Sequence, residues 1–138
     1  MEISRLGPSS FRIKTKDAIV IVNPERNSAG KFPKVSADLV TFSGKVDESI
    51  CQEIGGTAKK EKPFVISGPG EYEVLGVTVF GIATKGNTAY VFNTESMSVV
   101  YLGRLTEKLN DQQLTEIEQA DVLLIQVDET FAVEKTIE

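Results

Sequence analysis

The chain has no histidine. Histidine is the usual proton carrier near neutral pH and the commonest metal ligand. Its absence excludes a Ser-His-Asp triad, a Cys-His pair and a histidine-ligated zinc site. The one cysteine, Cys51, cannot form an internal disulfide or build a thiolate metal cage. Without an imidazole to activate it, Cys51 reads as a half-buried structural thiol and not as a nucleophile. Tryptophan is absent as well, which bears little on function. An excess of positive charge is also lacking: 15 basic residues stand against 20 acidic ones, a net charge of −5. Nucleic-acid binding begins with phosphate neutralisation, so no nucleic acid is expected as a partner. The run "KKEK" at residues 59–62 is broken by Glu61 and reads as a solvated loop. No apolar run is long enough to cross a bilayer. The start, "MEISRLGPSS", lacks the basic end and apolar stretch of a secretory signal. No membrane association and a cytoplasmic location are therefore expected.

What is present is an ordinary globular composition of 138 residues, 41% apolar and 25% charged. One domain over residues 1–138 is expected, long enough for a core without staples. Short strands dominate the first two thirds. Residues 3–6 and 11–14 read as a hairpin around "GPSS". Residues 18–22 form a buried apolar run stopped by Asn23-Pro24. Residues 39–42 form a further strand, and 47–54 a short helical turn ended by Gly55-Gly56. Segments 64–67, 72–75, 77–83, 88–93 and 98–102 follow as strands, and their close spacing implies antiparallel pairing. In "LNDQQLTEIEQAD", Asn110 can cap a helix and Gln113 completes a capping box. "DVLLIQV" reads as a buried strand, and "FAVEKTIE" opens a terminal helix.

Two glycine-rich or acidic stretches invite a chemical reading and do not sustain it. "SGPGEYE" lacks the lysine and helix of a phosphate loop, so it reads as a turn stiffened by Pro69. Glu71 and Glu73 alternate with Tyr72 and Val74, which makes them the wet face of a strand.

Several segments together resemble the metallo-β-lactamase fold, and within it the L-ascorbate-6-phosphate lactonase-like group. They are residues 6–24, "LGPSSFRIKTKDAIVIVNP"; 37–43, "ADLVTFS"; 64–82, "FVISGPGEYEVLGVTVFGI"; 87–92, "NTAYVF"; and 99–127. Of these, "GPGEYEV" followed by a second strand is the most specific. The resemblance implies an α/β fold of the αββα sandwich type, here its N-terminal half plus the start of the second, mostly antiparallel and with few helices. It also implies a zinc-dependent hydrolase ancestry.

The departures from the family pattern decide the functional expectation. Pro8 stands where the family has a histidine in its first loop, and Asn23 stands where it has an aspartate after the buried strand. The four positions of the family's metal-binding loop are Gly44, Val46, Glu48 and Ser49. A tight "KGN" turn replaces the segment carrying a further histidine. Arg104 falls on the family's bridging aspartate and Glu107 on the histidine after it. Zinc in an N/O site needs three or four close protein ligands. Glu48 and Glu107 are the two matched positions able to bind a cation. Arg104 would put a permanent positive charge at the metal position, at a cost on the order of several kcal/mol.

The expectation is thus a non-catalytic relative with a binding, assembly or scaffolding role, no catalytic or metal-ligating residues and no cofactor. Arg104 is expected to pair with Glu48 or Glu107 across the former site. One alternative is a small anionic-metabolite binder with Arg104 as its contact. Another is a hydrolase with an atypical carboxylate metal site. The resemblance also implies that the second half of the family domain has no counterpart here. One sheet face would then lie bare, and a homo-oligomer (a dimer most simply) or a second polypeptide is expected to cover it.

Overall fold

The computed structural model describes residues 1–126. Two five-stranded sheets pack face to face. The first holds β1 (Glu2–Arg5), β2 (Phe11–Lys14), β3 (Ile19–Val22), β4 (Leu39–Phe42) and, after the four-residue helix α1 (Glu48–Cys51), β5 (Phe64–Ser67), in that spatial order. The second holds β6 (Gly70–Val74), β7 (Val77–Thr84), β8 (Asn87–Thr94) and β9 (Met97–Tyr101), with β10 (Val122–Leu124) beside β9 after helix α2 (Asp111–Ile117). The capping box expected at Asn110 and Gln113 is present in full. The end of "DVLLIQV" and all of "FAVEKTIE" lie outside the described residues.

The antiparallel meander runs from β6 to β9. Segment 64–67 departs from that expectation: β5 leaves the meander and pairs parallel with β4. Gly68 and Pro69 make the change of sheet, with Gly68 at φ +110°, a conformation that L side chains rarely adopt. Spacing alone does not separate a hairpin from a short link between two sheets.

The continuous apolar runs bury both faces of their strands. Val20, Val22 and Leu39 meet Val79, Tyr90, Phe92, Val99 and Tyr101 between the sheets. Ile21, Val40 and Phe42 point the other way, under Ile50 and Ile54 of the α1 segment. Val91, Val100 and Leu102 likewise point outward beneath Leu105, Leu109, Leu114 and Ile117. The order helix, sheet, sheet, helix therefore forms within these residues, and the bare sheet face that motivated an oligomer is not seen among them. What stays exposed and large is confined to strand edges and ends, chiefly Phe64, Val65, Leu75 and Leu123. No helix among the described residues is long and apolar enough to cross a membrane.

At the lower end of the first sheet, Asp38 is buried and holds the chain together. Its Oδ2 accepts from the Ile19 N–H at 2.8 Å, and its Oδ1 accepts from the Thr57 hydroxyl. The 57–62 loop is positioned by that contact and by Lys59, whose ammonium donates to the Asp17 carbonyl at 2.9 Å.

Candidate functional site

At the upper end of the sandwich, β3 and β4 finish side by side. The chain leaves β3 through Asn23, whose φ of +49° is left-handed backbone that asparagine tolerates better than most residues. Pro24 fixes the exit. A cleft of about 420 Å³ opens there, lined by Asn23, Glu25, Arg26, Gly44, Lys45 and Asp47 among others.

Each sequence-derived site position has a definite place. Asn23 is buried, and its amide joins the two sheets. Its Nδ2 donates to the Tyr101 hydroxyl at 3.1 Å, and its Oδ1 accepts from the Ser43 N–H at 3.3 Å. Gly44 is exposed, and its carbonyl accepts from the Ser67 hydroxyl at 3.2 Å. Val46 is half-buried against the outer apolar cluster of the first sheet. Glu48 is exposed in the first turn of α1. The Ser49 hydroxyl donates to Asp47 Oδ1 at 2.7 Å and accepts from Arg26 Nη2 at 3.2 Å. Pro8 is exposed, its carbonyl accepting from Arg5. Asn23 and Gly44 line the cleft; Pro8, Arg104 and Glu107 do not. Arg104 is exposed, and its backbone N–H donates to Asn87 Oδ1 at 3.0 Å. Glu107 forms an ion pair with Lys85 at 3.3 Å.

Four residues that the sequence reading passed over organise this end. The Tyr101 hydroxyl donates to the Ser9 carbonyl at 2.7 Å while accepting from Asn23. Tyr90 donates to the Phe42 carbonyl at 2.6 Å and accepts from the Gly68 N–H. Glu25 accepts from the Ser9 hydroxyl at 2.7 Å and from Asn23 Nδ2 at 3.4 Å. Asn87, in the "KGN" turn, donates to Thr84 Oγ1 and to the Leu102 carbonyl, and so ties that turn to the Arg104 loop. Backbone joins in: the Thr88 N–H donates to the Ser43 carbonyl at 2.9 Å. The available signal was the tyrosines, since a phenol inside an apolar strand needs a hydrogen-bond partner.

Burial sets the protonation of both phenols. It pushes Tyr90 up to about 12, against the easing effect of its Gly68 hydrogen bond. Burial pushes Tyr101 higher still, opposed by its bonds to Asn23 and Ser9. Both are neutral donors at any physiological pH, and neither is a general base. Asp47 goes the other way. Hydrogen bonds from the Ser49 hydroxyl and the Ile50 N–H hold its carboxyl below the usual range.

This donor set does not fit a zinc ion. Among the described residues, no three side chains of the His, Cys, Asp and Glu types stand close enough together to hold a metal. The nearest candidates are already engaged: Asp47 caps α1, Glu25 holds Ser9, and the Asn23 amide has both ends bonded, one to Ser43 beside it and one to Tyr101 of the other sheet. Beneath them lie the buried hydroxyls Thr41 Oγ1 and Ser43 Oγ, which have no hydrogen-bond partner among the described residues. Hydroxyls are poor ligands for zinc compared with imidazole, thiolate or carboxylate.

Residues 2–137 match the beta-lactamase superfamily domain. Among solved structures, a Thermotoga maritima protein assigned to the Zn-dependent hydrolases of the metallo-beta-lactamase superfamily is similar over 88% of this chain, with 30% identity and a TM-score of 0.73. The metallo-beta-lactamase fold protein YhfI of Bacillus subtilis is similar over 87% of the chain, with 16% identity and a TM-score of 0.58. The matched regions are 58% and 63% of those two proteins, so this chain spans less than two thirds of either. No curated protein matches it. The two-sheet sandwich, the helix over each outer face and the family match agree: the chain belongs to the metallo-beta-lactamase superfamily.

Proposed function

We propose that this chain is a metal-free member of its superfamily that works by binding and assembly and not by hydrolysis. The observation carrying this reading is the commitment of the cleft residues. At the positions matched to the metal loop stand Gly44, whose carbonyl is bound to Ser67, Val46, packed on the outer apolar cluster, and Ser49, bonded to Asp47, beside an asparagine that bridges the sheets. Hydrolysis in this fold family depends on a metal that generates hydroxide near neutral pH. Among the described residues no cluster of side chains supplies the ligands, and the two buried phenols stay protonated. The finer kinship belongs to the same proposal: "GPGEYEV", which supplies the switch between sheets and strand β6, supports an ancestor among the lactonase-like members.

The test is direct. The protein is produced in zinc-supplemented medium, desalted and assayed for metal by elemental analysis, alongside lactonase, esterase and phosphodiesterase substrates. The expected outcome is well under one equivalent of any transition metal and no turnover above background. A stoichiometric metal together with turnover that a chelator abolishes would overturn the proposal and restore the atypical-hydrolase alternative.

A further inference from the structure

Strands β5 and β6 end their respective sheets, and only Gly68 and Pro69 separate them in sequence. The two free edges therefore flank each other on one side of the sandwich and run in opposite directions. Three of the large exposed apolar residues lie on that side: Phe64 at 45% exposure, Val65 at 38% and Leu75 at 36%. Among the described residues no strand pairs with the outer side of either edge, whose backbone N–H and C=O groups are a ready template for another strand. The charges on the two edges differ. Lys60 and Lys62, with Glu61 between them, lead into β5, whereas Glu71 and Glu73 are exposed on β6.

We propose that two copies of this chain associate through this side about a twofold axis parallel to the strands, so that β5 of each copy pairs antiparallel with β6 of the other. The charge pattern selects this axis. A twofold perpendicular to the strands would set β5 against β5 and leave its basic end facing Ser67. The parallel axis sets the basic start of β5 against the acidic end of β6, bringing Lys62 to Glu73, and does so twice because the contact is isologous. It also covers Phe64, Val65 and Leu75 and removes both free edges. Each sheet of one copy then continues into the other sheet of its partner. The groove beside Glu71 and Phe80, about 570 Å³ in volume, is extended by Val65 of the second copy.

This deepens the assembly part of the proposed function and rests on it, but the two fail separately: a zinc-loaded dimer sinks only the metal-free reading, and a zinc-free monomer sinks only this one. Sedimentation equilibrium at micromolar concentration is expected to give a dimer. Lys62→Glu alone and Glu73→Lys alone each set like charges together at both seams, and each is expected to weaken dimerisation about tenfold or more. An equimolar mixture of the two variants is expected to recover native affinity, because a mixed dimer has one native seam and one swapped seam. Phe64→Glu is expected to give a folded monomer by circular dichroism. A wild-type monomer, a dimer indifferent to these changes, or a mixture no tighter than its components would overturn the proposal.

Discussion

Asn23 shows what an amide does at this end of the sandwich that a carboxylate would not. An aspartate there would keep an acceptor for the Ser43 N–H but lose the donor that reaches Tyr101 and Glu25. It would also place a second carboxylate beside Glu25, in a position that is 8% exposed. A buried partner left unsatisfied costs about 1–3 kcal/mol, and a like-charge contact adds to it. Asn23→Asp is therefore expected to lower stability by about 2–4 kcal/mol in urea denaturation at pH 7. The loss is expected to shrink at acid pH, where the new carboxyl is protonated and can donate, and to be unrelieved by zinc. A variant that regains stability when zinc is added would show that the cleft still accepts a metal.

Element by element, the local rules are plain in some places and hidden in others. Helix α1 has four residues, too few to hold without help. Asp47 supplies that help by accepting from the N–H groups of Ser49 and Ile50. Its carboxyl is held below its usual range, so its contribution is fully present above the unfolded value near pH 4 and fades as pH falls through the lower folded value. Asp47→Ala is expected to cost about 1 kcal/mol at pH 7, the usual worth of such a cap. The gap between variant and parent is expected to narrow as pH falls below the usual carboxylate range. A gap that stays constant from pH 7 to pH 2.5 would assign the effect to something other than the ionised cap.

The two tight hairpin turns illustrate what the sequence does not announce. Leu75-Gly76 and Glu95-Ser96 both have positive φ at the two central residues, as the twist of a two-residue hairpin requires. Only one of those four residues is glycine. Glu95 offsets its strain with specific contacts, accepting from the Lys16 N–H at 2.9 Å and pairing with the N-terminal ammonium at 3.1 Å. Ser96, at φ +62° and exposed, has no such contact among the described residues and carries the cost of a left-handed L-residue, about 1 kcal/mol. Ser96→Gly is expected to raise the midpoint of thermal unfolding by about 1–3 °C. An unchanged or lower midpoint would mean that the serine is held by more than its backbone.

For the molecule as a whole, strand positions and the capping box of α2 were legible because they rest on periodicity and local chemistry. The departure of β5 from the meander was not, since its pairing with β4 depends on a partner more than 20 residues away in sequence. The loop of Gly44, Val46, Glu48 and Ser49 was legible as the connection from β4 to α1. The hydrogen bonds that hold this end together were not, because Ser9, Glu25, Asn87 and Tyr101 are unremarkable until the two sheets bring them together. These bonds give a further expectation for the whole molecule. If a metal clamped the upper end of the sandwich, saturating it at 100 times its dissociation constant would contribute about 2.7 kcal/mol to stability. For a domain of this size that corresponds to a shift of about 8 °C or more. Here the clamp is made of side chains and backbone: Asn23 to Tyr101, Tyr101 to Ser9, Tyr90 to Phe42 and Thr88 to Ser43. Thermal unfolding is accordingly expected to have the same midpoint, within about 1 °C, in excess EDTA and in excess zinc. The clamp also spans both sheets, so near-ultraviolet circular dichroism of the tyrosines and far-ultraviolet signal should be lost in one transition. A midpoint that falls on chelation, or tyrosine signal lost well before the strands, would place the strength of this end elsewhere.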